Sequence, residues 1–157
     1  MSDSRSPTAS PQEAAVGSSS RLWQGIGWGI LATIGMSIPM LIGMGTGVAP
    51  MPEPIPRALV TLIFGAGLPD PLLVAMAAGS HLAYGGIFGG LLARLTRPVT
   101  VWTGLALGLV LWLIMQVVVL PLLGWGAFGG AVTPAIAVAT LALHLLYGAI
   151  LGWGLDR

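Results

Sequence analysis

The sequence predicts an all-α membrane protein: four transmembrane helices formed by a duplicated helical hairpin, the copies related by a parallel pseudo-two-fold repeat. Three observations predict it. The first is composition: 55% of the 157 residues are hydrophobic and only 7% are charged. A soluble domain carries about 25% charged residues, because water must solvate its surface. The second is the presence of four long apolar segments without an internal Asp, Glu, Arg or Lys. The third is a repeated pattern of rare residues.

The first helix is predicted over Leu22 to Gly45, the second over Leu72 to Leu92, the third over Val99 to Leu123 and the fourth over Val132 to Leu155. At about 1.5 Å per residue, 20 residues cross a hydrocarbon core of about 30 Å. Lipid offers no hydrogen bonds to an open backbone, so helix is the expected form. Residues 1–20 are rich in Ser, Pro, Ala and Gln, with little apolar surface to bury, and read as a disordered cytoplasmic tail before a transmembrane domain over 21–157. The first connection holds Pro52, Pro54 and Pro56, followed by an apolar stretch over 58–68. That stretch is too short to cross and is expected to be re-entrant or interfacial. Pro39 and Pro121 are expected to kink their helices.

Arginine placement sets the orientation. With both termini cytoplasmic, Arg5, Arg21, Arg94, Arg97 and Arg157 lie inside and only Arg57 lies outside. The predicted location is the cell membrane (plasma or inner), crossed several times. Trp23, Trp102 and Trp153 then fall near the inner ends and Trp125 near the outer end.

The repeat is specific. His81-Leu82-Ala83-Tyr84-Gly85-Gly86-Ile87-Phe88-Gly89 recurs as His144-Leu145-Leu146-Tyr147-Gly148-Ala149-Ile150-Leu151-Gly152, identical at six of nine positions. The chain has two His and two Tyr, and all four fall in this motif. Trp23, Gly25, Gly29 and Met36 likewise match Trp102, Gly104, Gly108 and Met115. Helical spacing puts His81, Tyr84, Gly85 and Gly89 on one face, and His144, Tyr147, Gly148 and Gly152 on another. Small residues at such spacing let helix backbones approach closely. Gly25, Gly29, Gly85, Gly89, Gly104, Gly108, Gly148 and Gly152 are therefore the expected packing residues, and the histidines should point into the bundle.

Chemistry is sparse. An ionisable side chain at mid-membrane marks a functional site by default. The expected polar interior comprises His81, His144, Tyr84, Tyr147 and Gln116. Two imidazoles could ligate a b-type haem. With Met36, Met40 and Met44 they could instead hold copper, since thioethers suit Cu(I). The plainer reading is that each His is neutral and hydrogen-bonds to a carbonyl, Gln116, Ser37 or the other copy. A methionine stripe is more often packing. No cofactor is therefore expected. The five acidic residues lie outside the spans, and cysteine is absent. No enzyme is expected, and a proton-coupled transporter lacks its usual intramembrane carboxylate. A net charge of +1 and no basic cluster exclude nucleic acid. The partners expected are the lipid bilayer and either further copies or other membrane subunits. The function expected is a non-enzymatic membrane component; the alternative is a passive small-solute or ion channel or carrier.

Trp102-Thr103-Gly104, Val119-Leu120-Pro121-Leu122-Leu123-Gly124 and the helix carrying His144 resemble the C-terminal part of YagU-like inner-membrane proteins. They are also similar to small haloarchaeal and bacterial four-helix membrane proteins of unknown function. The resemblance covers the second to fourth helices and implies a multi-pass membrane location. It brings no site residues with it. The long Pro-rich first connection departs from the pattern.

Overall fold

The structure is a computed structural model that describes residues 11–157, with side chains from Ser19 onward. The described residues form helices and no strands. In chain order they are α1 (Pro11–Thr46), α2 (Ile55–Phe64), α3 (Asp70–Leu95), α4 (Val101–Leu122) and α5 (Ala135–Leu155). Four of them contain spans long and apolar enough to cross a membrane: Ser19–Thr46, Asp70–Leu95, Val101–Leu122 and Ala135–Leu155.

Local chemistry explains most of the boundaries. The helix of α1 begins at Pro11, inside the segment expected to be a disordered tail. Proline suits the first turn of a helix, and the Gln12-Glu13-Ala14-Ala15 run favours helix. The remainder of that expected tail, residues 1–10, lies outside the described residues. Pro39 sits within α1 without ending it. At the start of α4, the Thr100 hydroxyl accepts from the Thr103 N–H while the Thr103 hydroxyl accepts from the Thr100 N–H. This reciprocal cap satisfies donors that would otherwise be orphaned. Near its far end α4 widens into a π-turn over Met115–Val119. Pro121 follows at once; it cannot donate to the carbonyl four residues back, and the wider turn accommodates its ring.

The short apolar stretch is α2, ten residues long. It starts at Ile55, earlier than the expected 58–68, with Pro56 in its first turn. At 1.5 Å per residue it reaches about 15 Å, half of a hydrocarbon core. It packs on α3. Arg57 ties it there, 2.9 Å from Asp70 on α3 and 3.6 Å from Glu53.

Glycine dictates how the long helices meet. A Cβ on Gly25 would collide with the backbone of Gly89 and Gly90, and one on Gly29 with the backbone of Gly85 and Gly86. In the second pair, Gly104 meets Gly148 and Gly152, and Gly108 meets the His144 carbonyl. Thus α1 packs on α3 and α4 packs on α5, through matching glycines. The register differs by about a turn: Gly89 sits against Gly25 and Gly29, whereas Gly152 sits against Thr100 and Val101.

The hairpins join through α1 and α5. Gly154 admits the Trp28 ring and Gly35 admits Ile150. A strict two-fold exchange would pair α4 with α3 in the same way, but those helices barely touch. The reason is volume. When the two His-Tyr-Gly motifs and the two Trp-Gly segments are aligned by sequence, Gly35 falls on Ile114 and Gly154 on Leu91, so α4 and α3 lack the small residues that let α1 and α5 close. Most outward residues are apolar: Leu31, Ile34, Ile38, Val74, Ile87 and Val110 are each 45% or more exposed. Such a continuous apolar exterior calls for a solvent other than water.

Candidate functional site

The gap between α3 and α4 holds a cavity of about 220 Å³. Each element contributes. Met36 and Met40 face it from α1, Met51 from the first connection, and Ile55, Pro56 and Leu59 from α2. Ser80, His81 and Tyr84 come from α3, Met115 from α4, and Thr140 and His144 from α5. His81 and His144 lie near the middle of their helices. A smaller void of about 20 Å³ continues beyond them, bounded by Thr33, Gly85 and Tyr147. It has room for about one water.

Hydrogen bonds fix the imidazoles. Nδ1 of His144 is 2.8 Å from the Thr140 carbonyl, one turn back. A carbonyl only accepts, so this nitrogen carries the proton. Nδ1 of His81 lies 3.5 Å from the Ser37 hydroxyl. That hydroxyl already donates to the Thr33 carbonyl at 2.7 Å, so here too Nδ1 is the donor. In the neutral ring, Nε2 is then the unprotonated acceptor of each histidine.

The structure divides the expected site residues. His81 and His144 share the cavity. Tyr147 is 2% exposed and donates to the Gly85 carbonyl at 2.7 Å, bridging α5 to α3. Tyr84 is 40% exposed at the cavity wall and packs its ring against Phe88, tilted, with centroids 4.6 Å apart. The motif is the same, but the side chains face different neighbours because α1 packs on α5 while the opposite side is open. Gln116 is fully buried in the π-turn, off the cavity wall, and donates to the Thr140 hydroxyl at 3.0 Å. Met44 packs beside Met51 in a neighbouring apolar cluster, apart from Met36 and Met40. Met51 and Met115 line the cavity but were not among the expected site residues. The sequence marks Met115 only as the counterpart of Met36; nothing local marks Met51. Among the described residues no three His, Asp or Glu lie together.

The Oε1 atom of Gln116 is buried without a hydrogen-bond partner. The Thr140 hydroxyl spends its proton on the Ile136 carbonyl at 2.6 Å, so the amide cannot usefully turn round. An orphaned buried acceptor costs about 1–3 kcal/mol, more than a typical membrane hydrogen bond of about 0.6 kcal/mol returns. Gln116→Leu is therefore expected to raise stability by about 1 kcal/mol in reversible detergent unfolding. A loss of similar size would show that a buried water serves this oxygen.

Taken together, these features define a class: a small all-helical protein with four helices of membrane-crossing length and apolarity, folded around an acid-free cavity. Residues 19–157 match a family of unknown function, DUF6789, and the chain belongs to that family. The match shows no link to the YagU-like proteins. No curated protein and no solved structure matches the chain.

Proposed function

We propose that this chain is a non-enzymatic, multi-pass component of the cell membrane that binds a small ligand in the cavity between α3 and α4, entering from the outer half of the bilayer. The observation that carries this reading is the cavity itself: about 220 Å³, reaching both mid-helix histidines. Its lining includes Met51 and, at the start of α2, Pro56, both next to the connection that arginine placement puts outside. Its far end is blocked where Tyr147 bonds Gly85 and the glycine faces close. A blind pocket favours a binding or carrier role over an open channel. Haem is disfavoured, since pockets for drug-sized ligands run to about 300–1,000 Å³ and a porphyrin needs at least that.

In this reading the two hairpins are copies of one unit with the same orientation, and both termini are cytoplasmic. The shared His-Tyr-Gly motif and the matching glycine faces support the duplication. Lipid covers the outward apolar residues.

The absence of cysteine permits a clean accessibility test. In sealed vesicles of known orientation, Ser80→Cys, exposed on the cavity wall, should react with a membrane-impermeant maleimide added outside. Thr33→Cys, 1% exposed below the histidines, should not. Labelling of Ser80→Cys only from the cytoplasmic side would reverse the proposed entry, and labelling from neither side would remove it.

A further inference from the structure

We infer that the cavity is a binding site for a soft monovalent cation of the Cu(I) or Ag(I) kind, held by thioethers of Met36, Met40, Met51 and Met115 together with Nε2 of His81 and His144. The inference rests on the cavity reading above and names its ligand class.

The wall has an unusual donor set. Four of the chain's seven methionines and both of its histidines line this one space. Thioether sulfur and imidazole nitrogen are neutral, soft to borderline donors, the kind that select Cu(I). No carboxylate lines the cavity. Glu53 in the first connection and Asp70 at the start of α3 are both engaged by Arg57. Hard divalent ions need several oxygen ligands, which this wall does not supply. A charge of +2 without a counter-charge would also be far costlier at low dielectric than a charge of +1.

Hydrogen bonding prepares the imidazoles for this role. Each spends Nδ1 on a protein oxygen, Ser37 for His81 and Thr140 for His144. Neither Nε2 has a hydrogen-bond partner, and neither is among the sealed, unsatisfied atoms, where Gln116 Oε1 stands alone among the described residues. Both Nε2 lone pairs are thus open to accessible space. A ring held through its other nitrogen is the arrangement that metal-ligating histidines adopt. Methionine has three rotatable side-chain bonds, so the sulfurs can turn onto an ion without moving the backbone. A site of three or four donors drawn from these six satisfies a soft monovalent cation.

The full-length protein, purified in detergent without metal, is titrated with Ag(I) by calorimetry. It is also titrated anaerobically with Cu(I) against a coloured Cu(I) chelator. One ion per chain is expected, with sulfur and nitrogen scatterers in X-ray absorption of the Cu(I) form. Met36→Leu, Met115→Leu and His144→Ala should each weaken binding by about tenfold or more. Leucine nearly conserves the volume of methionine, so the two Met→Leu variants test donors without emptying the core. Met76→Leu, which packs between α2 and α3 away from the cavity, should bind as the parent does. Absence of binding, or equal binding by Met36→Leu, Met115→Leu and Met76→Leu, overturns the inference. If Ser80→Cys still labels from outside in that case, the cavity reading stands and its ligand is not a soft cation. If ions bind while Ser80→Cys is unreachable, the ion site stands and the proposed entry falls.

Discussion

Gly29→Ala is expected to destabilise the protein by about 2–3 kcal/mol, the upper end of overpacking costs. The added Cβ would overlap the Gly85 carbonyl oxygen and lie 3.0 Å from its carbon and 3.1 Å from the Gly86 Cα. All three are backbone atoms of α3, so no side chain can swing aside; the helices must separate. Separation thins the dispersion contacts that hold membrane helices together, where no hydrophobic force helps. Gly27→Ala supplies the control. It lies on the same helix, yet its Cβ would meet nothing within 4 Å. There alanine should stabilise by about 0.5–1 kcal/mol, through backbone entropy alone. Reversible unfolding in mixed detergent measures both. Equal effects at the two positions would mean that α1 does not meet α3 along its glycines.

The second large effect is expected at Tyr147. Tyr147→Ala removes a fully enclosed ring and should cost about 3 kcal/mol or more. Tyr147→Phe keeps the ring and loses only the 2.7 Å bond to Gly85. Membrane hydrogen bonds average about 0.6 kcal/mol and reach about 1.7 kcal/mol, which brackets the expected loss. The counterpart Tyr84 has no hydrogen bond among the described residues and is 40% exposed, so Tyr84→Phe should change stability little. Matching losses at Tyr84 and Tyr147 would contradict the asymmetric joining of the hairpins through α1 and α5.

That asymmetry gives the fold its functional interest. A bundle closed on both sides by glycine faces would be solid. Gly35 and Gly154 let α1 and α5 close together, whereas the residues that align with them, Ile114 and Leu91, give α4 and α3 no such small faces. The space left behind is covered by α2, through Ile55 and Leu59, and is lined by the two histidines. The long first connection, through α2, is thus the element that roofs the cavity.

Hydropathy, glycine spacing and the shared His-Tyr-Gly motif predicted the long helices and the helix pairs that pack within each hairpin. These properties are local: a run of apolar residues needs a helix in lipid whatever surrounds it, and a glycine stripe marks a close approach before its partner is known. The joining of the hairpins, the different fates of Tyr84 and Tyr147, and the meeting of Met51 and Met115 with Met36 and Met40 emerged only from the folded chain. Each depends on side-chain volumes at positions far apart in sequence, such as Gly154 against Trp28, and a one-dimensional pattern does not say which faces will meet.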